Sequence, residues 1–316
     1  MIEGRGEHEK ESIHELSIIA KEVAERYIES NKDSESTNSF TIFVEGPSDV
    51  QFYQDWLENS GLESEYRKLE ISVEVIPVDE KVKPSASGNC QRVRDAAEVY
   101  KRNLHNIYIS DKDLMTDLDI GKYSHLESLF FTDFPAVESY GFSHEILMSL
   151  NTSWYSNRVK PLGYCYDFLK CYLKGIYFYR SNHSMQESPE SVRGWTQRMH
   201  QRMRSYRKMH GSNITIEGFV EYAKDIIPDA VAAKMQELDD GSVDPRVYAY
   251  GHDIGFAIKN FVMDDIPPSK NYPTCNEHNI EQYVRDKYII EGLYKGDNLF
   301  ELLRDRVIDL YNLTTK

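Results

Sequence analysis

The sequence predicts an α/β protein with a mostly parallel sheet, followed by a mainly helical C-terminal half. Between residues 40 and 145, short apolar runs rich in β-branched and aromatic residues alternate with helical patterns, and this alternation is typical of parallel sheets flanked by helices. Beyond that point the apolar runs lose their β-rich character and helical spacing dominates. We therefore predict a helix and connector at 1–39, an α/β domain at 40–145 and a helical region at 146–316.

The predicted elements follow one another in order. Residues 11–29 place apolar side chains at helical spacing, and the polar run 30–39 indicates a connector. The strand FTIFVE at 40–45 enters the helix PSDVQFYQDWLEN, where Pro47 takes a first-turn position that proline tolerates. Further strands are predicted at 71–79, 106–110 and 128–133, a helix at 88–103, and two C-terminal helices at 279–294 and 298–313.

Composition limits the classes of function. The formal net charge is −15, which argues against indiscriminate nucleic-acid binding because phosphate contacts need Lys and Arg. No run approaches the roughly 20 apolar residues of a membrane span, and the charged N-terminus lacks the apolar core of a signal peptide. The four cysteines show neither a paired zinc spacing nor a dense disulfide framework. We therefore expect a cytoplasmic protein with no membrane association.

Acidic residues follow two of the predicted strands. Glu45 ends the first strand and Asp49 lies one helical turn later, while Asp111 and Asp113 directly follow the third strand. Ligands of parallel α/β sheets bind beyond the carboxyl ends of the strands, so we expect all four side chains at one edge. Carboxylates held close together repel one another unless one is protonated or a cation enters. The pattern therefore predicts a metal site.

Magnesium or manganese is the ion that these donors favour. Mg²⁺ takes oxygen ligands in octahedral geometry and keeps several waters. Two such ions about 4 Å apart stabilise the entering and leaving oxygens of a phosphoryl displacement. A D-x-D alone is a weak signal, because acids are common in loops. The combination of Glu-Gly-x-x-Asp after one strand with D-x-D after another favours a site for two ions.

The same residues carry a family resemblance. VEGPSDVQFY followed by ISDKD resembles the toprim domain, the Rossmann-like metal-binding unit of topoisomerases, primases and OLD-type nucleases. The chain is most similar to stand-alone toprim proteins of the OLD-like group, which includes the effector nuclease of the PARIS anti-phage system. FTDFPAVESYGF (131–142) is similar to that group's acidic-aromatic segment, and YGHDIGFAI (250–258) to its late GHD or GKD element. The resemblance mainly covers residues 40–145.

The resemblance implies roles for individual acids. Glu45 matches the family acid that binds metal or acts as general base, and Asp49 matches the second acid of that element. Asp111 and Asp113 are implied to be metal ligands. Glu138 is implied to be an outer ligand or an organiser of the site. The implied catalytic residues are Glu45, Asp111 and Asp113.

Asp117, Asp119 and His252 are further polar residues of the motif segments. Asp117 and Asp119 extend the D-x-D segment, and we interpret them as solvated loop acids. His252, in the GHD element, is implied by the resemblance to position a phosphate or to protonate a leaving group. Without the resemblance, His252 would be interpreted as a structural histidine.

The resemblance also implies an activity. Toprim sites cleave either with a tyrosine from a separate domain or with metal-activated water. No such domain is evident despite 22 tyrosines, so we favour water, with Glu45 helping to remove its proton. The implied function is the toxic effector nuclease of an anti-phage defence system, acting on tRNA or other RNA in preference to DNA.

Two kinds of protein partner are implied in the same way. The family comparison implies an ATPase that holds the nuclease in check until infection. The sequence contains no Gly-x-x-x-x-Gly-Lys-Ser/Thr pattern, so such an ATPase, of the ABC or AAA type, is a separate protein. Toprim nucleases often act as dimers, which is compatible with a homodimer here.

A basic stretch is the predicted substrate surface. Residues 193–210 contain no acid and interleave Trp195, His200, Tyr206 and His210 with cations, as a surface that combines phosphate contacts with base stacking needs. A solvated basic helix, or one paired with the protein's own acids, explains the stretch equally well. A weaker candidate is 81–95, where a helix N-terminus lies near Arg92 and Arg94. The predicted substrate-binding residues are Arg193, Arg198, Arg202, Arg204, Arg207, Lys208 and His252.

Other classes of protein remain open at this stage. A D-x-D also serves nucleotide-sugar transferases, but Glu45 then has no role. Haloacid-dehalogenase-type phosphatases use D-x-D as well, but normally after the first strand, and Leu114-Met115 replaces the usual small or hydroxyl residue. A non-catalytic adaptor whose acids bind a structural metal is a further alternative.

Overall fold

The structure of the chain is a computed structural model. It describes residues 39–62, 72–78, 88–103, 105–155, 162–183, 188–211, 213–237, 241–262 and 276–314. The helix predicted at 11–29 and the connector after it lie outside the described residues.

The described residues form four strands and a series of helices. The strands are β1 (Ser39–Val44), β2 (Ser72–Pro77), β3 (Asn106–Ser110) and β4 (Leu129–Phe131). The helices are α1 (Pro47–Asn59), α2 (Asn89–Val99), α3 (Asp117–Gly121), α4 (Val137–Tyr140), α5 (His144–Tyr155), α6 (Leu162–His183), α7 (Pro189–His210), α8 (Ile216–Tyr222), α9 (Asp229–Gln236), α10 (Gly251–Val262), α11 (Glu277–Ile290) and α12 (Asn298–Thr314).

The strands build one parallel sheet in the order β2-β1-β3-β4. The prediction of an α/β protein with a parallel sheet and a helical second half is confirmed. Phe43 of β1 pairs with Tyr108 of β3, which pairs in turn with Leu129 of β4. The chain leaves β1 for β2 on one side and then returns to β3 on the other. The sheet therefore has a topological switch point between β1 and β3, where α/β proteins bind ligands.

The chain divides into two compact units. The first contains the described residues up to Asp111, the segment Asp117–Phe131, and α12; the second contains Lys112–Thr116 and Thr132–Asp297. The domain boundary predicted near residue 145 thus falls inside the second unit. The C-terminal helix, assigned from its sequence to the helical region, belongs with the sheet.

Apolar side chains pack α2 against the sheet and α12 against α1 in the first unit. Val93 and Ala97 of α2 are fully buried in a cluster with Tyr108 and Leu129 of the sheet. The ring of Phe300 in α12 lies 5.6 to 6.0 Å from aromatic rings of α1. Rings this large contribute strongly to a core. Phe300 is therefore a physical reason why α12 belongs to this unit.

The second unit consists of helices α4 to α11. Gly141, directly after α4, lies against α11: a Cβ added there would lie 2.3 Å from the carbonyl oxygen of Val284 and 2.6 Å from its carbonyl carbon. Within the described residues, no helix combines the length and apolar character needed to cross a membrane.

The close approach at Gly141 yields a prediction about stability. Gly141→Ala should lower the free energy of unfolding by about 1–3 kcal/mol, because two backbones must move apart to admit a methyl group. Urea denaturation measures this change. The control is Gly121→Ala, where a Cβ meets nothing within 4 Å. Equal stability of the two variants would show that the contact with Val284 is not tight.

Candidate functional site

The structure brings Glu45 and Asp111 together in the first unit. Glu45 directly follows β1 and Asp111 directly follows β3, the two strands on either side of the switch point. The backbone N–H of Asp111 donates to Oε1 of Glu45 at 2.8 Å. The hydroxyl of Ser110 donates to the same oxygen at 3.1 Å. The sheet topology therefore brings these two acids to one edge, as the strand pattern predicts.

Arg94 is a further residue of this edge. Its side chain is buried in α2, donates from Nε to Ser110 Oγ at 3.0 Å and from Nη2 to the carbonyl oxygen of Asp111 at 2.9 Å. Its guanidinium carbon lies 5.6 Å from the centre of the Phe131 ring. In the weaker candidate segment 81–95, Arg94 is therefore not an exposed cation beside the helix N-terminus, because these bonds hold its guanidinium inside the unit. Residues 81–87 of that candidate segment lie outside the described residues.

Asp49 has a structural role at the start of α1. Its Oδ2 accepts the backbone N–H of Gly46 at 3.0 Å, and its Oδ1 accepts the Ser48 hydroxyl at 3.2 Å. A side chain that reaches back in this way satisfies an amide that the helix leaves unpaired. Helix capping thus accounts for Asp49 in the structure, and metal binding by Asp49 stays a prediction.

Asp113 belongs to the second unit and has an unusual backbone. Its φ is 51°, and among the described residues other than glycine it alone has a positive φ. Its N–H donates to the carbonyl of Pro135 at 2.8 Å, and the hydroxyl of Tyr250 donates to its Oδ1 at 3.4 Å. Residues held in the left-handed region are concentrated at functional sites. The backbone of Asp113 therefore lies in a region that aspartate tolerates better than residues such as alanine.

The remaining acids of the predicted site differ in their surroundings. Glu138 is buried in the second unit, and its Oε1 lies 3.3 Å from Nη1 of Arg285, which is also buried. Glu138 is thus engaged by an internal cation. Asp117 is exposed and Asp119 pairs with Lys122 at 2.7 Å, but both lie in the short helix α3 and not in a loop.

In the GHD element, His252 is exposed and Asp253 is buried. The Nδ1 of His252 lies 3.1 Å from Oε2 of Glu281, and this hydrogen bond raises the pKa of the imidazole. Asp253 accepts two bonds from Arg180, at 2.7 and 2.8 Å. Burial alone would raise the pKa of Asp253, but nearby His200 and the Arg180 guanidinium hold it below its usual value.

Sequence reasoning missed the partners of this element. The guanidinium of Arg180 lies over the ring of Tyr250, 5.0 Å from its centre, and the Tyr250 hydroxyl reaches Asp113. Asp253, Arg180 and Tyr250 therefore connect the GHD element to Asp113 within the second unit. Arg180 lies in the long helix α6, whose sequence gives no sign of this role.

The basic helix α7 separates its charges from its aromatic residues. Arg193, Arg198, Arg204 and Lys208 are exposed. Arg202 is half-buried beside Asp225, at 2.5 Å. Arg207 is also half-buried, with its guanidinium 5.4 Å from the centre of the Phe261 ring.

The aromatic residues of α7 lie on its buried side. Trp195 stacks on Tyr179 with ring centres 3.7 Å apart, and its Nε1 donates to the Ile226 carbonyl at 2.8 Å. His200 and Tyr206 are buried too, whereas His210 is exposed. The prediction that Trp195, His200 and Tyr206 stack on bases is wrong, because packing in the core already uses these rings.

The donor chemistry at the edge of the sheet fits a hard divalent ion. Glu45 and Asp111 supply carboxylate oxygens, the ligands that Mg²⁺ prefers. Among the described residues, no group of three or more His, Cys, Asp or Glu side chains is arranged to hold a metal ion. A scan against protein-family models finds no match to this chain, and a search of curated proteins also finds none.

The backbone of Asp113 yields a prediction about stability. Asp113→Asn should change the free energy of unfolding by less than about 0.5 kcal/mol, because Asn also tolerates the left-handed region. Asp113→Ala should lower it by about 1–2 kcal/mol, the cost of that conformation for a residue with an ordinary Cβ. Urea denaturation of both variants, with the exposed Asp305→Ala as control, measures the difference. If the Asn and Ala variants changed the free energy of unfolding equally, the positive φ at position 113 would not be a source of strain for alanine.

Proposed function

We propose that this protein is a divalent-metal-dependent nuclease of the toprim class. One observation carries the proposal: Glu45 is hydrogen-bonded to the amide of Asp111 at the switch point of a parallel sheet. Two acids from distant parts of the sequence thus meet where an α/β fold binds its ligand. For Asp113 and Glu138, a part in the reaction is supported by the family resemblance.

The residues at this edge suit hydrolysis of a phosphodiester. The carboxylates of Glu45 and Asp111 would hold Mg²⁺ or Mn²⁺. A bound ion of this kind supplies electrostatic stabilisation of charge that develops on phosphate oxygens. Glu45 also accepts the proton of the attacking water, a role in which a positioned carboxylate typically contributes 10²–10⁴-fold.

The exposed face of α7 is the proposed substrate surface. Arg193, Arg204 and Lys208 repeat at close to whole helical turns, and the exposed Gln197 and Gln201 lie between them. At a rise of about 1.5 Å per residue, this stripe is about 22 Å long. Cations and amides without accessible aromatic rings suit phosphate and sugar contacts rather than base stacking. Binding through α7 is therefore proposed to be independent of base sequence.

The proposal extends to a biological role through the family resemblance alone. We propose that the nuclease is the toxic effector of an anti-phage defence system, with tRNA or another RNA as its substrate and a separate ATPase as its partner. The bond between Glu45 and Asp111 favours this class over a nucleotide-sugar transferase, because a D-x-D transferase has no use for Glu45.

Removal of the Glu45 charge tests the activity. Glu45→Gln keeps the size of the side chain and an oxygen that can accept the Ser110 and Asp111 bonds, so the fold should persist. Cleavage by the purified full-length chain with Mg²⁺ or Mn²⁺ should fall at least about 100-fold. Gels of total RNA and of genomic DNA measure cleavage and identify the substrate.

The matched control is Glu58→Gln, an exposed acid of α1, which should cleave like the wild type. Expression of the same three proteins in cells compares their toxicity. Cleavage that persists in Glu45→Gln, or a wild type that cleaves neither RNA nor DNA under all of these conditions, would contradict the proposed function.

The charges of α7 provide a separate prediction. Changing Arg193, Arg198, Arg204 and Lys208 together to Gln should weaken nucleic-acid binding. The slope of log affinity against log salt concentration should fall by about 3, because each of the four phosphate contacts contributes about 0.7–0.9. Fluorescence anisotropy with homopolymers of different base composition measures both the slope and the independence from base sequence.

The control removes the same number of exposed cations outside α7: Lys101, Arg102, Lys122 and Lys224. Both quadruple variants change the net charge equally, so a general electrostatic effect would lower the salt slope equally in both. Such a result would show that α7 is a solvated basic helix.

A further inference from the structure

We propose that Arg94 and Ser110 form a positioning device for Glu45 and Asp111, here named the Arg94–Ser110 bridge. The inference rests on the proposed function, since it concerns the same acids. It assigns to a buried arginine and a buried serine the task of holding two carboxylates ready for a metal ion. Neither residue would touch the ion or the substrate.

The direction of each hydrogen bond in the bridge follows from the donors. An arginine side chain only donates, so Ser110 Oγ accepts from Arg94 Nε at 3.0 Å. The single hydroxyl proton of Ser110 is then left for one acceptor. Glu45 Oε1 is the nearest at 3.1 Å, compared with 3.3 Å for the Asp111 carbonyl and 3.5 Å for the Cys90 carbonyl. Bonds to an ionised acceptor are also the stronger ones, so the proton goes to Glu45.

A second branch of the bridge fixes the backbone of Asp111. Arg94 Nη2 donates to the carbonyl oxygen of Asp111 at 2.9 Å, and the N–H of Asp111 donates to Glu45 Oε1 at 2.8 Å. The polar backbone groups on both sides of the Asp111 Cα are therefore held. One planar guanidinium thus sets the conformation of Asp111 directly and the orientation of Glu45 through Ser110.

The bridge has the rigidity that such a task needs. Ser110 has no exposed surface, and Arg94 is only 7% exposed. Arg94 lies in α2 beside Val93, which is completely buried. Residues that hydrogen-bond to metal ligands from behind commonly change metal affinity or activity 10- to 100-fold when they are mutated. The same scale is expected for the bridge.

Ser110→Ala tests the bridge with a readout that does not require cleavage. Titration of the purified full-length protein with Mn²⁺, followed by electron paramagnetic resonance of the free ion, gives the dissociation constant. The Ser110→Ala variant should bind Mn²⁺ about 10- to 100-fold more weakly than the wild type. The Mn²⁺ concentration for half-maximal cleavage should rise by the same factor, while the rate at saturating Mn²⁺ should recover.

The control is Ser128→Ala. Ser128 is a buried serine of the same unit whose hydroxyl has no hydrogen-bond partner among the described residues. Ser128→Ala removes the same hydroxyl oxygen as Ser110→Ala but breaks no bond of the bridge, so its Mn²⁺ affinity should stay at the wild-type value. Thermal unfolding of both variants shows whether they are folded. Arg94→Lys is a second variant, which keeps the charge but cannot make both bonds of the planar guanidinium, and it should also weaken Mn²⁺ binding.

The outcomes separate the bridge from the proposed function. If Glu45→Gln loses Mn²⁺ binding while folded Ser110→Ala and Arg94→Lys bind like the wild type, the bridge is only structural and the nuclease proposal survives. Equal weakening of Mn²⁺ binding by Ser110→Ala and Ser128→Ala would also overturn the bridge. If the wild type binds no Mn²⁺, the proposed function fails, and the bridge fails with it.

Discussion

The hydrogen bond between the Asp111 amide and the Glu45 carboxylate joins two strands that are distant in sequence and adjacent in the sheet. Its geometry depends on the register of β1 and β3, which the pairing of Phe43 with Tyr108 fixes just before the strands end. All residues of β3 are buried, and a slip of one residue would turn each of its side chains to the opposite face. The packed core of the first unit therefore sets where the Glu45 carboxylate meets the backbone of Asp111.

The parts of this arrangement that depend on local patterns could be predicted from the sequence. Alternation of strands and helices is sufficient to predict a parallel sheet and thus to place Glu45 and Asp111 at one edge. Arg94 could not be assigned in this way, because arginine is normally a surface residue, and its burial is explained by its bonds to Ser110 and to the Asp111 carbonyl at the end of another element. The aromatic residues of α7 are an intermediate case. Trp195 repeats with Val192 and Met199 at helical spacing, and this period was already a sign that it faces the core.

The exposed cations of α7 contrast with the acidic composition of the chain as a whole. The chain has a formal net charge of −15, whereas the exposed side chains of α7 include Arg193, Arg198, Arg204 and Lys208 and no acid between residues 193 and 210. A local reversal of sign of this kind guides the approach of a charged ligand and raises the rate of productive encounters. The acidity of the protein as a whole is therefore compatible with a nucleic-acid substrate, and it favours binding at one place over binding everywhere.

The packing of α12 in the first unit has a consequence for folding during protein synthesis. Domains generally fold as units while the chain emerges from the ribosome. The strands that carry Glu45 and Asp111 emerge early, but Phe300, which packs against α1, emerges only after the whole of the second unit. The sheet therefore lacks a large core side chain until translation has passed residue 300. Chains that end before residue 300 therefore lack part of the apolar packing of the unit that carries Glu45 and Asp111.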